Sequence, residues 1–171
     1  MNERTRAHRA HGWRTGLRIT SLALAVVVTG LALPRAAVAD GLRPRSPAPV
    51  AYATECGACH VAYVPGLLPA PSWQRLMQGL PEHFGSDASL DEATRRAIAD
   101  WLQREAARGG RWAEPPPQDR ITRSARFERK HREVDAAVWR RPAVRSPANC
   151  SACHGRADQG DFDDDHVRIP R

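Results

Sequence analysis

Four cysteines and two histidines repeat one arrangement: Cys56-Gly57-Ala58-Cys59-His60 and Cys150-Ser151-Ala152-Cys153-His154. C-x-x-C-H is the attachment sequence of c-type haem. In that chemistry the two thiols add across the porphyrin vinyl groups, and a two-residue spacer on a helical turn sets both sulfurs on one haem edge. The histidine that follows reaches the iron as proximal ligand. With 7 histidines in 171 residues, chance would place one directly after both pairs in about one of six hundred chains of this composition. Other cysteine chemistry fits less well. A four-cysteine zinc site gives no reason for a histidine after each pair, and the 90 intervening residues would make a loose ribbon. A redox C-x-x-C belongs in a βαβ context, and no valine- or isoleucine-rich strand precedes either motif. Two disulfides, the plain reading of four cysteines in an oxidising compartment, leave the repeated histidine without a role.

Each iron has a second axial position, and beyond residue 40 the chain offers His83, His131, His166 and Met77 to fill it. Two must be chosen from these four. His131 falls on an apolar helical stripe with Phe127, Val134 and Val138, where an imidazole without a partner is costly and ligation would satisfy it; a core histidine bonded to a carbonyl is the alternative. His83 lies in a loop between Pro81 and Gly85, placed to present its ring inward or to remain an exposed loop residue. Met77 shares a face with Trp73 and Leu80, which favours packing. His166 follows three aspartates, which favour its charged form in water.

The elements that must position these residues are short. Residues 40–50 form a proline-rich lead-in, and 61–71, broken by Pro65, Pro69 and Pro71, reads as irregular chain wrapping the first haem. Ser72 is expected to cap a helix with Trp73, Leu76, Met77 and Leu80 inward, ending at Pro81. Ser89-Leu90-Asp91-Glu92 has the form of a capping box. It predicts a helix running to about residue 108, with Leu90, Ala93, Ala97 and Trp101 inward, Ile98 and Leu102 as further candidates, and Gly109-Gly110 as the stop. Pro115-Pro116-Pro117 marks a linker between a first haem-binding half, 40–114, and a second, 115–171. Another helix is predicted over 124–139, and Ser146-Pro147 is read as the N-cap and first residue of a short helix carrying the second motif. The fold class expected is all-α, short helices and irregular loops around two covalently attached haems.

Composition and charge narrow the setting. The 15-residue apolar run at 19–33 is shorter than the roughly 18 residues of a membrane span, so a polytopic membrane protein is excluded. Arg4, Arg6, Arg9, Arg14 and Arg18 precede that run and Ala37-Val38-Ala39 follows it, the pattern of a secretory signal peptide over 1–39 cleaved after Ala39. An uncleaved N-terminal anchor with its domain outside the cytoplasm is the alternative. Of 26 basic and 19 acidic residues, cleavage leaves 20 and 18, so the net charge of +7 gives no ground for nucleic-acid binding. A basic run at 120–145 and the aspartates of 158–165 read first as solvated faces, and second as docking patches near the second motif.

The two C-x-x-C-H motifs, the His83-Phe84-Gly85 loop before a capped helix, the Lys130-His131-Arg132-Glu133-Val134 segment and the Gly160-x-Phe162…Val167-x-Ile169-Pro170 ending together resemble the small periplasmic dihaem cytochrome c family. The resemblance implies a mostly helical protein with two haem c groups, each iron held by two histidines. It carries over Cys56, Cys59, Cys150 and Cys153 for attachment, His60 and His154 as proximal ligands, and His83 and His131 as distal ligands. It implies electron transfer between a membrane cytochrome b and soluble haem proteins in the periplasm, with no small-molecule substrate. The 18 residues between His131 and Cys150 favour pairing His131 with the second haem and His83 with the first, although exchange between halves stays open. The rival reading is a small haem enzyme, a peroxidase or nitrogen-oxide reductase, with one open haem site; it requires a missing distal ligand. Intact-protein mass is expected to show a chain beginning at Asp40 with two covalent haems; retention of residues 1–39, or fewer than two haems, would contradict this.

Overall fold

Prolines decide where the first two helices begin. The structure, a computed structural model, describes residues 42–171; the expected signal peptide and its cleavage site lie outside them. Helix α1, Val50–Gly57, follows Pro49 and carries Cys56 in its last turn, with Ala58 still right-handed beyond it. A 3-10 turn at Pro65–Leu67 leads to α2, Ala70–Gln78, whose N-cap is Pro69 and whose first turn holds Pro71. Proline is tolerated there because its missing N–H would have had no helical partner. The helix thus starts before Ser72, which is fully buried inside it and does not serve as the cap expected. Gly79 closes α2 by donating to the carbonyls of Arg75 and Leu76, and a 3-10 turn at Leu80–Glu82 follows.

Helix α3, Glu92–Glu105, is capped by Asp91, whose carboxylate accepts the Thr94 N–H at 3.0 Å. Ser89 is not the cap: it lies two residues before Asp91, and its N–H donates to Asp87 at 2.9 Å in the preceding turn. Three residues short of the predicted end the chain leaves the helix, since the Ala107 N–H pairs with the Leu68 carbonyl at 2.9 Å and draws it into an isolated bridge beside Pro69. The inward face is Ile98, Ala99, Trp101 and Leu102. Ala93 and Ala97, expected inward, are exposed.

Helix α4, Ala125–His131, is half the predicted length. Ser124 caps it by accepting the Phe127 N–H at 3.1 Å. After His131 a turn forms, and the Asp135 carboxylate takes the Ala137 N–H at 2.6 Å, so that the chain resumes as a 3-10 turn at Val138–Arg140. An aspartate offering its own acceptor to the backbone competes with helix continuation. Ser146-Pro147 likewise opens no α-helix. Ser146 accepts the Ala148 N–H at 3.1 Å in a local turn, and the second motif lies on a 3-10 turn, Cys150–Ala152.

The result is all-α, with four α-helices and no strand among the described residues. Helices α2 and α3 pack through Leu68, Trp73, Met77, Ile98 and Leu102, with Tyr52 of α1 against Trp101 at 4.8 Å. After residue 107 the buried hydrophobics are Val138, Val144 and Ala157. The segment after residue 107 therefore has little apolar core of its own.

The lead-in is tied to the end of α3 by Glu105, which accepts the Arg45 N–H and the Ser46 hydroxyl, each at 2.8 Å. These bonds, the Arg45 N–H first, hold the Glu105 carboxyl at about 2, from a usual 4.5. Because the folded value is depressed, the stabilisation is present above pH 4.5 and is lost as pH falls towards about 2. In denaturant titrations at a series of pH values, Glu105→Gln is expected to be less stable than the native chain near neutrality, with the difference closing over that window. A constant difference would contradict the assignment.

Candidate functional site

The C-terminal turn of α1 delivers Cys56, while Cys59 and His60 follow in the turn beyond it. The His60 Nδ1–H donates to the Val61 carbonyl at 2.7 Å, which leaves Nε2 with a free lone pair. Across from it stands His83, with ring centroids 6.1 Å apart. The loop that presents His83 is built by local bonds. The Ala88 N–H reaches the Leu80 carbonyl at 2.9 Å, the Ser86 N–H reaches the His83 carbonyl at 3.1 Å, and Phe84 and Gly85 take positive φ at the tip. Phe84 leans on the His83 ring at 4.9 Å, and the Arg120 guanidinium sits 4.3 Å over Phe84. Cys59 and His60 are exposed and Cys56 and His83 half-buried, so this first site opens at the surface.

The second site has walls. A cavity of about 360 Å³ is lined by Cys150, Cys153, His131 and His154 and by apolar side chains that include Phe127, Trp139, Phe162 and Val167. Leu42 and Leu67 from the first half complete it. His131 faces His154 with centroids 6.1 Å apart. The His131 ring stacks on Phe127 at 4.0 Å, and its Nδ1–H donates to the Phe127 carbonyl one helical turn back at 2.9 Å, so its Nε2 is also left as acceptor. Phe162 packs on His154 at 5.4 Å, and a bridge between His154 and Val167 returns the tail to the motif.

Three observations test whether these residues fit haem. Two metal–nitrogen bonds of about 2 Å each, with ring radii of about 1.2 Å, put two imidazoles facing each other across one metal roughly 6 Å apart between centroids. Both pairs have that spacing. Next, Nδ1 of His83 and of His154 is buried without a hydrogen-bond partner, a cost of about 1–3 kcal/mol each in a bare protein. Burial lowers the pKa of both rings, with the facing histidine adding to the effect; at His154 the nearby Asp164 and Asp161 oppose it. Neutral imidazoles are the form a metal takes. Finally, all four cysteines are free thiols, and burial raises Cys56 to about 11 and moves Cys150 and Cys153 upwards. The residues fit two haems, each attached through one motif and lying between two histidines.

The other candidates lie elsewhere. Met77 is buried in the α2–α3 core. His166, 45% exposed, bonds to Asp161 at 2.9 Å. Trp73 and Trp101 donate to the carbonyls of Pro65 and Ser46 as helix contacts, whereas Trp139 lines the second cavity. Within the basic run, Arg126 and Arg129 lie over the Trp112 ring and Lys130 pairs with Asp164 at 3.0 Å. Leu67, in the segment expected to wrap the first haem, lines the second cavity instead. Phe162 carried a signal only through the family ending, and Leu42 carried none.

A model of the dihaem cytochrome c family matches residues 52–162. Among solved structures the chain is similar to a dihaem cytochrome c from Shewanella baltica OS155, at 39% identity and a TM-score of 0.64 over 73% of this chain and 95% of that one. It is also similar to a dihaem cytochrome c from Rhodobacter sphaeroides, at 45% identity and a TM-score of 0.59 over 65% of this chain and 94% of that one. No curated protein matches it.

The facing pairs generate a direct test. His83→Ala and His131→Ala are each expected to convert one haem, and a different one, to a high-spin or water-ligated form with a raised potential, because a donor that stabilises ferric iron is lost. His166→Ala is expected to leave both spectra low-spin. Optical and paramagnetic-resonance spectra of the three variants check this; a high-spin signal in His166→Ala alone would overturn the pairing.

Proposed function

We propose that this chain, which belongs to the dihaem cytochrome c family and carries two haem c groups, is an electron carrier of the periplasm that passes electrons between a membrane cytochrome and soluble redox proteins. The observation that carries the reading is the second histidine 6.1 Å from each motif histidine. In this reading Cys56 and Cys59 attach the first haem and His60 and His83 hold its iron. Cys150 and Cys153 attach the second, and His154 and His131 hold its iron. Bound haem supplies a one-electron ferric–ferrous couple.

The chain's own residues then set how that couple behaves. Two imidazoles on each iron leave no position for a substrate to bind. They also favour the ferric state more than an imidazole with a thioether would, and Met77, the one thioether beyond residue 40, is committed to the core. The Nδ1–H bonds of His60 and His131 to backbone carbonyls fix the ring orientation and increase the basicity of Nε2, which favours ferric iron further. A low-potential carrier is expected. Delivery to the periplasm is supported by the basic, apolar and small-residue pattern of residues 1–39.

Carbon monoxide separates a carrier from an enzyme with an open iron. The reduced protein at neutral pH is expected to bind it poorly and to show negligible turnover with peroxide. Fast, stoichiometric binding to the native protein would overturn the carrier reading in favour of a haem enzyme.

A further inference from the structure

Tyr63 stands three residues after His60 and is held at three points. Its carbonyl accepts the hydroxyl of Tyr52, itself buried in α1. Its ring stacks on His60, with centroids 4.8 Å apart and planes 20° from parallel. Its hydroxyl donates to the carbonyl of Ala148 at 3.0 Å, 85 residues away in sequence and two before Cys150. The next residue repeats the crossing. Val64 Cγ1 lies 2.8 Å from where a Cβ on Gly160 would stand, and Gly160 takes φ +70°, so that only a glycine permits the approach. Residues 63 and 64 thus meet the chain on both sides of the second attachment motif.

Haem attachment sharpens the role of the hydroxyl. The Cys150 sulfur lies 3.7 Å from the same Ala148 carbonyl. As a thioether it has no proton to give, and Tyr63 is then the side-chain donor that remains.

The geometry points to Tyr63 as the strut that fixes the second haem-attachment segment relative to His60, and so as the positioning residue for electron exchange between the two haems. The inference rests on the carrier reading with its histidine pairs. Electron tunnelling weakens steeply with distance and with each gap in the covalent path. The His60 ring, the Tyr63 ring and one hydrogen bond to the Ala148 carbonyl form a short path from one site to the other. A shift of the segment 148–150 would lengthen it.

The test uses the full protein with both haems attached. Tyr63→Phe keeps the ring against His60 and removes the hydroxyl. In half-reduced protein, magnetisation-exchange spectroscopy is expected to show inter-haem exchange slowed several-fold, with both irons still low-spin. p-Aminophenylalanine at position 63, which restores a donor, is expected to recover the rate. An unchanged exchange rate in Tyr63→Phe, with or without a drop in thermal stability, would overturn the inference. Should Tyr63→Phe take up fewer than two haems, Tyr52→Phe decides: it releases the Tyr63 carbonyl, so slowed exchange supports the strut and unchanged exchange overturns it. Failure of the carrier reading shows separately, in the unsubstituted protein, as a high-spin iron or rapid carbon monoxide binding.

Discussion

The 6.1 Å separation between facing imidazoles, at His60 and His83 and again at His131 and His154, is the constraint to which the rest of the chain is fitted. Two imidazole rings have no attraction that would hold them at this distance without touching, and Nδ1 of His83 and of His154 is buried without a partner. An iron between the rings of each pair would account for the spacing, and the local structure explains how each ring is held ready. His60 follows directly from α1, and His83 rides a loop closed by the Leu80–Ala88 bond. His131 is the last residue of a helix that Ser124 starts and a turn ends. His154 is gripped from the tail by Phe162 and Val167.

The two sites meet this constraint differently. In the first, α1, α2 and α3 make an apolar core from Tyr52, Leu68, Trp73, Ile98 and Leu102, and the haem-binding residues lie at its edge. In the second, three buried hydrophobics surround no comparable core, and the volume is a cavity beside Cys150 and Cys153. Burial of apolar area is the main favourable contribution to folding, at about 25 cal/mol per Å². A segment with so little of it depends on the large apolar face of its cofactor. Axial ligation of the attached haem by His131 and folding of 115–171 would therefore be coupled, because that bond is made only in the native state.

That coupling explains what was legible in the sequence. The attachment residues are contiguous, so their chemistry reads directly from Cys56–His60 and Cys150–His154 as strings of residue types. His131 was singled out because an unpartnered ring on an apolar stripe is costly, but the ring is half-buried and its Nδ1–H is bonded to the Phe127 carbonyl, the alternative that stripe left open; the resemblance to a known family pointed to it and to His83. The helices were legible where propensity and packing agree, as in α3, and less so where a local side chain competes with the backbone. Asp91, directly before the first helical residue, takes the Thr94 N–H and caps α3 in place of Ser89. Asp135 ends a periodicity that otherwise runs from Phe127 to Val138. The use of Leu42 and Leu67 in the second cavity was not legible at all, because a haem has no sequence and a residue that packs on it follows no period.

The account depends on each iron lying between two histidines. Low-temperature paramagnetic resonance of the oxidised native protein measures this most directly. Two low-spin ferric signals of bis-imidazole type, accounting for both irons, are the expected result. A high-spin ferric signal amounting to one of the two irons would contradict it.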